Sequence, residues 1–94
     1  MYNKCMRIEF DSDKRDKTLA ERRLDFARAG EVFLSASITI ADEREDYGEP
    51  RLCTVGFLDE RVVVVTWTPR GAVRRIISMR KANEREQKRY GALG

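Results

Sequence analysis

The chain has no histidine, two cysteines, two prolines and one tryptophan, and its longest apolar run, Val62 to Val65, is four residues. Each shortage excludes a class of function. Without His there is no Ser-His or Cys-His nucleophile pair, and the side chain most used as a general base near neutral pH is missing. Cys5 and Cys53, with no His beside them, fall short of the four ligands that a structural zinc site draws mainly from those two residue types. A four-residue apolar run is far below the roughly 20 residues that cross a bilayer, and no apolar stretch follows the amino terminus. The two cysteines are then read as reduced thiols in a reducing compartment, with no membrane association and a cytoplasmic location. At 94 residues the chain is too short for two hydrophobic cores, so one domain over 1–94 is expected.

What the chain has in quantity is charge. Charged residues make up 37% of it and apolar residues 41%, enough of the latter for a folded core. The formal net charge of +3 hides an uneven division. Residues 1–60 hold 10 Lys and Arg against 14 Asp and Glu, whereas 61–94 hold 9 against 2. A basic half in which Arg74, Arg75, Arg80, Lys81 and Arg85 follow closely fits a polyanion or an acidic partner, because each phosphate neutralised releases counterions. The plain alternative is a solvated surface.

Periodicity gives the elements. Met6, Ile8 and Phe10 alternate with Arg7 and Glu9, so 4–10 is a strand. Asp11 or Ser12 offers an N-cap for a short charged helix to about residue 22. A second helix starts at Asp25, with Phe26, Ala29, Gly30 and Phe33 on one buried stripe; Gly30 there suggests close packing. Ile38 and Ile40 share one side of a strand over 37–40, and an acidic loop follows from Asp42. Residues 51–58 and 61–68 form a hairpin around Asp59-Glu60; lacking glycine, its turn is expected to be somewhat longer than two residues. Pro69-Arg70-Gly71 is a further turn, 72–79 a strand, and 81 or 82 to 90 the last helix. The order βααββββα indicates an α+β fold: an antiparallel sheet of four to five strands, two N-terminal helices and one C-terminal helix. Val62 to Val65, apolar on both sides, marks the central strand.

Several motifs point to one family. Phe10-Asp11 with Lys14, Phe26 with Ala29 and Val32-Phe33, Asp42 with Tyr47-Gly-Glu-Pro-Arg51, and Arg75-Ile-Ile-Ser-Met-Arg-Lys-Ala82 followed by Glu86 and Tyr90 together resemble the BrnT family of bacterial toxins over almost the whole chain. The resemblance implies a RelE-like ribonuclease toxin that inhibits translation by cutting RNA. It also implies neutralisation by BrnA, a ribbon-helix-helix antitoxin, through which alone the toxin would meet operator DNA. The chain departs from the family pattern at Glu21-Arg22-Arg23, where Lys-His-Gly is usual. Gly suits a left-handed helix end, so Arg23 must either adopt a positive φ or end the helix differently, and the lost His leaves any role of that position in question.

Candidate site residues follow from what RNA cleavage needs without imidazole. Guanidinium presents a planar fork to two phosphate oxygens, and charge aimed at the developing anion is commonly the largest catalytic contribution. Arg80, with Lys81 beside it, is the first candidate; Arg51 and Glu49, flanking Pro50, are the second, as phosphate binder and proton acceptor. The structural alternatives are a helix-capping or surface ion pair for Arg80 and, for the Arg51 and Glu49 pair, capping a sheet edge or salt-bridging to another strand. RNA-binding candidates are Arg74, Arg75, Trp67 and Tyr90. Trp67 either stacks a base or fills the core, and Tyr90 either meets RNA or covers the sheet. In a regular strand Arg75 and Arg80 face opposite ways, so both line one site only if a bulge intervenes. No metal or cofactor is assigned, because the acidic run from Asp42 to Glu49 lacks the spacing of a calcium loop. The rival to a metal-independent endoribonuclease is a noncatalytic RNA- or protein-binding module acting as corepressor, with a topoisomerase inhibitor on the same fold as a third possibility.

Overall fold

In the computed structural model, which describes residues 7–43, 46 and 48–91, the valine run lies in a central strand buried from both sides. The elements are β1 (Arg7–Glu9), α1 (Ser12–Arg22), a 3₁₀ turn (Phe26–Arg28) leading into α2 (Ala29–Leu34), β2 (Ile38–Ala41), β3 (Leu52–Leu58), β4 (Arg61–Arg70), β5 (Val73–Lys81) and α3 (Glu84–Tyr90). Met6 of the expected first strand, Cys5, and Tyr47 of the Tyr-Gly-Glu motif lie outside the described residues. The fold is α+β, with a five-stranded sheet in the order β1-β5-β4-β3-β2. β2 to β5 form an antiparallel meander, and β1 adds to its edge parallel to β5, so the sheet is mixed where an antiparallel one was expected. That placement lets Ile8 join the helix-covered core while Glu9 meets Arg75 across the pair.

Asp11 starts α1 by accepting from the Asp13 and Lys14 amides at 2.8 and 3.2 Å. The helix buries none of its residues, so polar ties hold it: Arg15 to Asp25 at 2.8 Å, and Arg22 Nη1 to the Met79 carbonyl at 2.8 Å. It ends at Arg23, which takes the left-handed conformation at φ 61 that the glycine of the family pattern would suit. Asp25 caps the next turn through the Ala27 amide. Phe26, Ala29 and Val32 then bury completely against Val63, Val65, Trp67, Ile76 and Met79 on one face of the sheet. Gly56 of β3 passes directly beneath α2: a Cβ there would fall 2.8 Å from the Val32 carbonyl oxygen and 2.7 Å from Ser35 Oγ.

The β3–β4 turn differs from expectation. Leu58 pairs with Arg61, so the turn has two residues, and Asp59 and Glu60 both take positive φ, 52 and 66, without glycine. Arg28 holds Asp59 by two hydrogen bonds, 2.8 and 2.9 Å, and also binds Glu31, so a tertiary clamp supports a backbone that the local sequence disfavours. At the other end β4 runs through Pro69 to Arg70, and the turn is Gly71-Ala72 with Gly71 at φ 60. Pro69 fits within β4 because the ladder to β3 ends at Trp67.

Candidate functional site

The face of the sheet opposite α1 and α2 is the less covered one, and a bulge decides what it displays. Thr66 pairs with Ser78 but Trp67 pairs with Ile76, which leaves Ile77 as an extra residue in β5. Met79 and Ile76 therefore both point into the helix-covered core although they are three apart, while paired positions put Arg75, Ser78 and Arg80 on the open side with Thr68, Thr66 and Val64. The condition set by the sequence for Arg75 and Arg80 to share a face is met.

On that side a hollow is floored by Cys53, Val55, Val64, Thr66 and Ser78, with Arg80, Glu86 and Tyr90 on one wall and Ile40 to Glu43 on the other. α3 forms the first wall. Its N-cap Asn83 accepts from the Glu86 amide at 2.8 Å, and Glu86 Oε1 accepts from the Asn83 amide at 2.9 Å, a reciprocal capping box. The same Glu86 carboxylate receives both Nη atoms of Arg80, at 2.8 and 3.0 Å, so β5 and α3 are joined at the hollow's rim. The Arg80 guanidinium holds the Glu86 carboxyl below the usual carboxylate range, with partial burial opposing it. Glu86 is thus committed to charge and to positioning, and is a poor proton acceptor. Tyr90 packs its ring beside Val55, Val64 and Ala82, with the Arg89 guanidinium 5.7 Å from the ring centre.

The other candidates are dispersed. Arg75 is on the open face but bound to Glu9 at 2.9 Å. Arg51 lines a neighbouring hollow with Asp42, Glu43, Asp46 and Glu49, which meets the first only along Ala41, Asp42 and Glu43. By strand spacing Arg51 and Arg80 are about 13 Å apart along the strands and about 10 Å across them. Arg51 and Arg80 thus line different hollows, and Glu49 meets Arg70 of β4 at 3.5 Å. Lys81 lies in a hollow at the end of β5 with Glu21, Arg22, Arg23 and Arg80.

Two RNA-binding candidates lie on the helix-covered face, Trp67 buried and Arg74 partly buried above it. Trp67 is 6% exposed on the helix-covered face, edge-on to Phe33 with ring centres 5.6 Å apart, and its Nε1 donates to Thr54 Oγ1 at 2.9 Å. Arg74 lies over the Phe33 and Trp67 rings at 4.1 and 5.1 Å, and burial lowers its pKa. Trp67 thus takes the core-filling alternative, and the apolar stem and flat guanidinium of Arg74 roof the aromatic pair, a gain that phosphate binding in water would forfeit. Sequence reasoning missed Ser78, Thr66, Cys53 and the two carboxylates Asp42 and Glu43 as lining residues. The legible signals were the conditional bulge for Ser78 and the acidic run for Asp42 and Glu43.

Among the described residues no cluster of three or more Cys, Asp and Glu is arranged to hold a metal ion, and no helix is long and apolar enough to cross a membrane. A family model described as ribonuclease toxin, BrnT, of type II toxin-antitoxin systems matches residues 10–86. No curated protein sequence matches the chain significantly.

Proposed function

The chain belongs to the BrnT family of type II toxin-antitoxin ribonuclease toxins, and from that premise we propose that it cuts RNA without a metal ion, in the hollow between β5, α3 and the start of the acidic loop. The bulge at Ile77 carries this reading, because it gathers Ser78 and Arg80 beside Tyr90 on one concave surface. The reaction is transesterification: the 2′-oxygen attacks the adjacent phosphorus, the bond to the 5′-oxygen breaks, and a 2′,3′-cyclic phosphate and a 5′-hydroxyl result. Arg80, aimed by Glu86, stabilises the charge gathering on the phosphoryl oxygens. Asp42 and Glu43, on the opposite wall, supply carboxylates to accept the 2′-hydroxyl proton, and the Tyr90 phenol supplies one for the leaving oxygen. Arg75, two residues before the bulged Ile77 and on the same face, binds a flanking phosphate, and Lys81 adds positive charge at the end of β5.

A ribonuclease toxin of a type II system has an antitoxin partner and an RNA target. The ribbon-helix-helix class for that antitoxin, contact with operator DNA only through it, inhibition of translation and a cytoplasmic site of action complete the proposal. Purified protein incubated with RNA in EDTA should generate fragments ending in 2′,3′-cyclic phosphate, and RNA with a 2′-deoxy residue at the cut should resist. Retained RNA binding with no cleavage by the wild type in any buffer would establish the noncatalytic module instead.

A further inference from the structure

β1 covers the outer edge of β5 only from Val73 to Arg75. Beyond it, among the described residues, α1 lies along that edge without pairing, tied by Arg22 to the Met79 carbonyl. Two hollows result. One is lined by Lys14, Lys17, Thr18, Glu21 and Arg22 of α1 and by Ile77 and Ser78. The other, at the end of the strand, is lined by Glu21, Arg22, Arg23, Arg80 and Lys81. The first shares Ser78 with the cleavage hollow, the second shares Arg80 with it, and the two share Glu21 and Arg22. The surface is therefore continuous from the proposed cleavage point over the edge of β5 onto α1.

We propose that the substrate strand follows this surface, and that Lys14, Lys17, Arg23 and Lys81 bind phosphates flanking the cut. The inference rests on the ribonuclease reading and assigns it a longer single-stranded substrate than the hollow alone would hold. The charge balance along the path is one carboxylate, Glu21, against a run of cations. On α1, Lys14, Lys17, Thr18, Glu21 and Arg22 fall at helical spacing on one side, the side turned to β5. Arg23 carries its guanidinium on a left-handed backbone, φ 61, where glycine would be unstrained, so a cation stands at the helix end against conformational preference. Beyond the opposite wall of the hollow the character is reversed, with Asp46 and Glu49 standing beside Arg51 and disfavouring a phosphate chain. A polyanion leaving the hollow is thereby steered toward α1.

The test is binding of a 12-nucleotide 2′-O-methyl RNA, which cannot be cut, followed by fluorescence anisotropy across salt concentrations. Each phosphate contact contributes about 0.7 to the slope of log K against log salt on a single strand, equivalent to about fourfold in affinity at 0.15 M salt. Lys14→Gln/Lys17→Gln/Arg23→Gly should therefore lower the slope by about 2 and the affinity by about fiftyfold. With cleavable RNA it should raise KM and leave kcat unchanged. Arg23→Gly alone should weaken binding about fourfold while raising the melting temperature, a combination that loss of folding cannot produce. An unaltered slope and affinity in the triple variant would overturn the path, whether or not the wild type cuts RNA. The expected slope change in a wild type that never cleaves would uphold the path and overturn the ribonuclease reading instead.

Discussion

Met79 and Arg80 are neighbours in β5 and belong to opposite sides of the sheet. Met79 is fully buried with Phe26, Val32, Val63 and Val65, whereas Arg80 stands at the rim of a hollow with Thr66, Ser78 and Tyr90. The helix-covered face is closed by α2 and by the aromatic pair under Arg74; the other is only partly covered, by the seven-residue α3. The contrast teaches that one face supplies stability and leaves the second free to carry hydroxyls and charges that a packed core would not tolerate.

The sharpest way to break the contrast is to change the two neighbours separately. Met79→Ala should cost about 2–5 kcal/mol of unfolding free energy, since a large side chain leaves a cavity that the surrounding strands cannot fill. Urea denaturation measures it, and cleavage per folded molecule should stay at the wild-type level. Arg80→Ala should do the reverse, losing about 10²–10³-fold in kcat with a stability change below about 1 kcal/mol, because its pair with Glu86 is partly exposed. Single-turnover cleavage of a labelled RNA distinguishes them; equal losses of stability in both variants would erase the difference between the faces.

Gly56→Ala sharpens the same comparison from the covered side. Its Cβ would meet the Val32 carbonyl oxygen at 2.8 Å, backbone that has little room to retreat, and about 1–3 kcal/mol of stability should be lost with the hollow untouched. The smallest effect is expected for Glu86→Gln, under about 1 kcal/mol at pH 7, since glutamine preserves much of the capping box. Its pH dependence has a definite sign. Arg80 lowers the Glu86 carboxyl in the folded state, so the contribution is complete above the unfolded value near about 4.3 and fades as pH falls through the lower folded value. Urea midpoints of wild type and Glu86→Gln should therefore converge as the pH is lowered into the acid range.

Helix starts were legible because a single side chain makes them: Asp11 and Asp25 cap the residues that follow them. The central strand was legible because Val62 to Val65 has no polar face to expose. The β3–β4 turn was less so, since its two-residue form depends on Arg28 reaching Asp59 from 31 residues away in the chain. Of the site, Arg80 and Tyr90 were visible as candidates and stand together at the hollow. Trp67 lies on the side of β4 that alternation from Val63 and Val65 gives it, and Arg74 on the side of Ile76; what the sequence did not carry is that Phe33 and Arg74 close over that tryptophan.

Local sequence determined the α+β order of elements, the caps, and the concentration of positive charge in the final third, because each depends on residue type and on neighbours a few positions away. Tertiary structure alone decided which arginines share a surface. Strand alternation has a period of two, so one extra residue, Ile77, reverses the side on which everything after it stands, and only the pairing of β5 with β4 reveals that it is there.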